Sequence, residues 1–265
     1  MKRLFLLFVL MGFLVISGCK KEEFEEVHQT VNETVKGTEG WWIKRNKEHQ
    51  IPEVSNKIDL SKYDTYYVNP KAGKNKCIYL TFDCGYENGF TPKILDILKE
   101  QKVPAAFFVT KPFIRENADL VKRMKKEGHV VGNHTVHHKS MPSQSDRDNK
   151  QEIIDCAEYC KEATGYEMDK FFRPPMGEYN EHTLALIKKM GYKTIFWSIA
   201  YLDYDVNHQP GKDYVVNHFK ENWHNGAIPL IHNVSKSNTE ALETVIKNLK
   251  KEGFQFLSLK RLPAY

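Results

Sequence analysis

The chain has 265 residues, of which 41% are hydrophobic and 28% charged, the ordinary balance of a soluble globular protein. Its formal charge of +5 is a mild excess with no basic stripe interleaved with aromatics, which does not argue for nucleic acid as a partner. Five cysteines are too few for a disulfide scaffold.

Residues 1–18 read as a lipoprotein-type signal peptide. Lys2 and Arg3 supply a positive start, residues 4–16 an apolar run broken only by Gly12, and Ile16-Ser17-Gly18-Cys19 resembles a bacterial lipobox. Lipidation of Cys19 would fix the chain to the outer face of the cytoplasmic membrane, or to the space between forespore and mother cell. An uncleaved anchor or an ordinary secretory signal are the alternatives, and all three export the protein. Residues 19–39 are polar and Glu-rich, a flexible tether. Residues 40–75, opening on Gly40-Trp41-Trp42, read as a strap packed on the main domain, which occupies 76–265.

From residue 77 onward, strands and helices alternate. Residues 77–82 form an apolar, β-prone run. Thr91 then caps a helix with Pro92 at its first position. Residues 105–109 form a second strand, 117–127 a helix closed by Gly128, and 129–132 a third strand. A helix from about Ser145 ends at Gly165, and a short strand follows at 171–172. Asn180 caps a helix stopped by Gly191, and 193–198 is a strand. Residues 211–225 are helical, 227–231 a strand, 237–252 a helix and 254–257 a strand. Cys156 and Cys160, four apart on a helix, are expected to remain thiols. The pattern is α/β, about seven apolar strands separated by six helices, hence a parallel sheet covered on both faces. It either closes as a distorted (β/α) barrel or stays open and doubly wound. Both place functional loops at the C-terminal ends of strands.

Five short polar runs sit at those ends. His134 and His138, four apart, place two imidazoles on one side of a turn, a common zinc-ligand arrangement, although a surface histidine pair reads the same way. His137 is expected to point elsewhere. Asp83 precedes Gly85 and suits a general base beside an activated water, or a simple turn aspartate. Arg173, stiffened by Pro174 and Pro175, suits a guanidinium that orients Asp83, or a loop-closing arginine. His232 ends an apolar strand and suits a general acid if Asp203 supports it. Trp197, Tyr201 and Tyr204 cluster around Asp203, where aromatic faces stack on sugars or fill a core.

Together these runs resemble the polysaccharide deacetylase family, the NodB-homology carbohydrate esterases of family four. Thr81-Phe82-Asp83-Cys84-Gly85 is similar to its Thr-Phe-Asp-Asp-Gly motif, and His134-Thr135-Val136-His137-His138 to its metal motif. Arg173-Pro174-Pro175-Met176-Gly177 resembles the motif whose arginine positions the base, and Leu230-Ile231-His232 the one carrying the acid. Residues 197–204 resemble an Asp-x-x-Asp-Trp motif, with Ala200 and Tyr204 as departures. The resemblance implies a distorted (β/α) barrel with an N-terminal strap and one divalent metal ion, zinc in the first instance. It implies Asp83 as base, His232 as acid supported by Asp203, Arg173 orienting the base, and Pro175, Trp197, Tyr201 and Tyr204 as substrate contacts.

Cys84 stands where the family carries a metal-binding aspartate. It is expected either to contribute a thiolate ligand beside His134 and His138 or to leave a two-histidine site. Tyr86-Glu87-Asn88-Gly89, Ala200-Tyr201-Leu202-Asp203 and residues 232–238 are similar to the delta-lactam-biosynthetic branch. That likeness implies deacetylation of N-acetylmuramic acid on peptidoglycan glycan strands by a monomeric enzyme. A general N-acetylglucosamine or chitooligosaccharide deacetylase and a non-catalytic glycan-binding lipoprotein are the rivals.

Overall fold

A computed structural model of the chain describes residues 37–45, 48–55 and 57–265. The signal peptide, Cys19 and the tether up to residue 36 lie outside the described residues. Among the described residues, no helix is long and apolar enough to cross a membrane.

Seven parallel strands form the central sheet: β1 (Thr65–Tyr66), β2 (Leu80–Cys84), β3 (Ala105–Val109), β4 (Val130–Asn133), β5 (Phe171–Phe172), β6 (Lys193–Ile195) and β7 (Leu230–His232). Their spatial order is β7-β2-β3-β4-β5-β6-β1. The described helices are α1 (Thr91–Glu100), α2 (Lys111–Glu116), α3 (Ala118–Lys126), α4 (Asp146–Thr164), α5 (Glu181–Lys189), α6 (Lys212–Asn222) and α7 (Lys236–Lys251). The sheet curls until its two edges nearly meet, and irregular bonds join them. Leu230 N–H donates to the Ile199 carbonyl at 2.8 Å, Ser198 N–H to Ile228 at 2.9 Å, and Asn69 N–H to Gly226 at 2.9 Å. The result is the distorted barrel expected from the sequence.

Period-two alternation explains why the strands read as continuous apolar runs. Leu80, Phe82, Cys84, Phe107, Val109 and Val131 pack outward among the helices, in one cluster with Ile94, Leu98, Cys156 and Ile246. Ala106, Phe108, Val130, Phe171 and Ile195 belong to a second cluster, on the other face of the strands. The four described cysteines are free, buried thiols.

The strands differ from expectation in three places. The run at 77–82 is broken at Tyr79, whose N–H turns to the Ala227 carbonyl at 2.9 Å. Cys77–Ile78 then pairs with Gln255–Phe256 in a separate ladder, so the last strand leaves the central sheet. The seventh sheet strand comes from the strap instead. Asp64 adopts a left-handed backbone (φ 47°) and turns the chain into β1, which satisfies the otherwise open edge of β6. Trp41 of the strap stacks on Phe196, with ring centroids 4.4 Å apart, and its indole N–H donates to the Trp197 carbonyl at 3.0 Å. The strap therefore buttresses a wall of the cleft described below.

Two helices also differ. Thr91 is the first helical residue of α1, not its cap. The Glu87 carboxylate performs that task, accepting from Thr91 N–H at 3.0 Å and from its hydroxyl. The short helix α2, capped by Thr110, was not apparent in the pattern, because Pro112 in its first turn reads equally as a loop signal.

Candidate active site

β2 and β7 are neighbours in register, with His232 paired to Asp83. In-register residues of adjacent strands project from the same face about 4.8 Å apart. A carboxylate and an imidazole thus stand side by side at the C-terminal rim, a consequence of strand pairing that no local sequence window contains.

Asp83 is held by Arg173, which is wholly buried at the end of β5. Arg173 Nη1 donates to Asp83 Oδ1 at 2.7 Å. Its Nη2 donates to Thr81 Oγ1 at 2.8 Å and its Nε to the Ile195 carbonyl at 3.0 Å, while the guanidinium lies 4.3 Å over the Phe108 ring. Burial pushes the Asp83 pKa up, but Arg173, His134 and His232 outweigh it and hold the carboxyl below its ordinary value. Asp83 is therefore an ionised proton acceptor with one oxygen fixed and the other, Oδ2, 3.6 Å from His134 Nε2.

The His134 and His138 rings meet edge to face, their Nε2 atoms 3.1 Å apart. His134 Nδ1 faces the Arg173 carbonyl at 2.8 Å and must donate to it, which leaves Nε2 with its lone pair free. Burial pushes the His134 pKa down to about 4, against the pull of Asp83, and burial also lowers that of His138. Left-handed backbone at Thr135 (φ 70°) and His138 (φ 55°) coils the segment so that the two rings converge. Two imidazole nitrogens bound to one ion at about 2.0–2.1 Å lie roughly 2.9–3.4 Å apart. The observed separation and the neutral rings fit a shared divalent cation. His137 points away, its Nδ1 2.6 Å from Glu152 Oε1.

Cys84 does not join them. β2 runs on through Cys84, so its side chain projects from the face opposite Asp83 and is fully buried among Phe82, Ile94 and Val109. Burial raises the thiol pKa well above its ordinary value, the reverse of what a thiolate ligand requires. Among the described residues, no three His, Cys, Asp or Glu side chains are grouped as a metal site. Of the two expectations, the structure favours a two-nitrogen site whose remaining positions are open to oxygen ligands.

His232 Nδ1 lies 2.6 Å from Asp203 Oδ1, and His232 N–H donates to Asp203 Oδ2 at 2.8 Å. Burial disfavours the charged ring, yet Asp203 and then Asp83 outweigh it, and the His232 pKa is raised. The opposite nitrogen, Nε2, is free for a proton transfer.

These groups line a cavity of about 610 Å³ with Tyr86, Pro174, Met176, Trp197, Tyr204 and Val234. Trp197 and Tyr204 both face this cavity, Tyr204 edge-on to His232 at 5.5 Å between centroids. Pro175 is buried beneath the surface, and its neighbours Pro174 and Met176 form the wall in its place. Met176, quoted in the Arg173–Gly177 motif without a role of its own, is 54% exposed and holds a left-handed backbone with φ 58°. Tyr201 does not reach the cavity. Its ring is buried and its hydroxyl bonds to Asn238, the last residue of the 232–238 run, to which the resemblance assigned no individual role.

The model of the family described as polysaccharide deacetylase matches residues 71–195. The chain is 42% identical over 224 residues to the peptidoglycan-N-acetylmuramic acid deacetylase PdaA of Bacillus subtilis, covering 84% of each. A peptidoglycan-N-acetylglucosamine deacetylase of Bacillus cereus is 33% identical, covering 76% of this chain and 95% of the relative. The solved structure of Bacillus subtilis PdaA, a family 4 carbohydrate esterase, superposes with a TM-score of 0.81 at 41% identity, covering 85% of this chain and 96% of that one.

Proposed function

The chain belongs to the polysaccharide deacetylase family, hydrolases that act on amides, and from that premise we propose that it removes the N-acetyl group from N-acetylmuramic acid in peptidoglycan. The observation that carries the reading is the pairing across one cavity of an ionised Asp83, held by Arg173, with a His232 whose pKa is raised. A pure glycan binder has no use for an acid and a base in register. The muramic specificity rests on the 42% identity to an N-acetylmuramic acid deacetylase, against 33% to the N-acetylglucosamine enzyme.

In the proposed mechanism, the acetyl group enters the cavity between Asp83 and His232. Asp83 takes a proton from water as the water oxygen bonds to the acetyl carbon. His232 donates its Nε2 proton to the sugar nitrogen as the carbon–nitrogen bond breaks, releasing acetate and a free amine. Asp203 keeps the His232 ring oriented and supports its charge. His134 and His138 would hold a divalent ion, zinc being suited to imidazole, and such an ion supplies Lewis-acid polarisation of the acetyl carbonyl. Trp197 and Tyr204 offer faces to the sugar ring. The freed muramic amine can then condense with its own lactyl carboxyl group, losing water, to give the δ-lactam of spore cortex. Export and attachment through Cys19 or an N-terminal anchor would bring the domain to this substrate.

The test is mass spectrometry of muropeptides before and after exposure to the purified protein supplied with zinc. We expect acetate release and muramic residues that have lost their acetyl group. Acetyl loss confined to glucosamine would overturn the specificity, and no loss from either sugar would overturn the activity.

A further inference from the structure

Asp203 is wholly buried, and its carboxylate accepts from both the ring and the backbone N–H of His232. One further side chain reaches it. Asn238, in the first turn of α7, donates from Nδ2 to Asp203 Oδ2 at 2.6 Å. A carboxylate can only accept, so the amide must present its NH2 to Asp203 and its Oδ1 elsewhere. Oδ1 faces the Tyr201 hydroxyl, which donates to it. That bond fixes the amide the right way round, because a flipped Asn238 would set a carbonyl against the carboxylate.

Two more side chains, Gln209 and Ser235, lock the frame. Gln209 Nε2 donates to the Asp203 and Asp205 carbonyls at 2.9 and 2.8 Å, while its Oε1 accepts from Ser235 Oγ at 2.7 Å and from Ser237 N–H at 3.1 Å. Ser235 in turn caps α7 by accepting from Asn238 N–H at 3.1 Å. The loop carrying Asp203 and the helix carrying Asn238 are thereby tied together.

We propose that Tyr201 and Asn238 are positioning residues for the general acid, a two-member relay that orients Asp203 and through it governs how firmly His232 holds its proton. The inference rests on the deacetylase reading above. It gives Tyr201 a role other than the sugar contact expected from the sequence. An Asp203 no longer held by Asn238 can turn from the His232 ring, and an imidazolium that loses its carboxylate partner holds its proton less firmly. The other charged or titratable groups around His232 are Asp83 on β2, Arg173 behind it, His138 and Tyr204. Around Asp203 they are Tyr201 and His218. All except Tyr201 are left intact by the test.

Tyr201→Phe keeps the buried ring and deletes only the hydroxyl, while Asn238→Leu deletes the donor itself. Each variant, loaded with metal and compared with wild type on peptidoglycan, is expected to lose kcat on the order of ten-fold with KM unchanged. The alkaline limb of the kcat/KM profile should move to lower pH, since His232 must stay protonated to act. Tyr214→Phe, which removes a partly exposed hydroxyl from the ring beside Tyr201, should move neither. Because Asn238→Leu risks unfolding, Tyr201→Phe decides the matter. A Tyr201→Phe enzyme with wild-type kcat and an unmoved limb overturns the relay, as does one that only raises KM. An inactive wild type overturns the deacetylase reading and the relay with it, whereas an active wild type with an unaffected Tyr201→Phe overturns the relay alone.

Discussion

Replacing Asp83 by asparagine perturbs chemistry and stability together, and the structure sets the size of each. Asparagine keeps a carbonyl oxygen to accept from Arg173 but loses the charge, leaving a guanidinium that is 0% exposed without its counter-ion. Breaking a buried pair on one side typically costs about 3–5 kcal/mol. Arg173 retains its bonds to Thr81, Ile195 and Phe196, which places the expected loss near the lower bound, about 3 kcal/mol. For a domain of this size that is a fall in Tm of roughly 6–12 °C. Activity should fall far more steeply, because a general base contributes about 10²–10⁴-fold, or about 3–5 kcal/mol of barrier. Acetate release should be measured well below the variant's melting transition, with thermal or urea unfolding and metal content run in parallel. A folded Asp83→Asn protein with full turnover would refute Asp83 as base. A variant melting with the wild type would refute the energetics assigned to the buried pair.

Three further predictions follow from the same geometry. Asp83 must be ionised and His232 protonated, and the first pKa is lowered while the second is raised, so the active window widens at both ends. The acid limb of the kcat/KM profile should lie below about pH 3.9 and the alkaline limb above about pH 6.5, the ordinary values of the two groups; limbs lying inside those values would contradict the assigned environments. Cys84→Ala should cost about 1–2 kcal/mol of stability, as for trimming a core side chain, and leave metal content and turnover intact. A metal-free Cys84→Ala protein would restore the thiolate to the ligand set. A strong chelator should abolish acetate release, and added zinc should restore it, with little change in Tm, because His134 is already held through Nδ1 by the Arg173 carbonyl. Undiminished activity after verified metal removal would count against a role for the histidine pair.

Much of this protein was legible without coordinates. Apolar runs such as 105–109, punctuated by Gly128, Gly165 and Gly191, declared a parallel sheet under helices, because strands buried on both faces have few polar positions. The polar residues that interrupt those runs at their C-terminal ends marked the rim, since a parallel α/β sheet puts its loops there. Their resemblance to the deacetylase motifs is what singled out Asp83, Arg173, His134, His138 and His232 among such residues. What only the tertiary structure decided was which way side chains face and which distant segments meet. A two-residue strand such as β1 carries no period to read and is created by the open edge of β6. Cys84 and Asp83 are neighbours in sequence but lie on opposite faces, a matter of where β2 stops. Tyr201 and Asn238 meet at Asp203 only because the irregular seam of the barrel brings a loop and a helix cap to the same carboxylate. Local sequence encodes periodicity and end signals, whereas these contacts depend on sheet curvature and strand register, which belong to the whole chain.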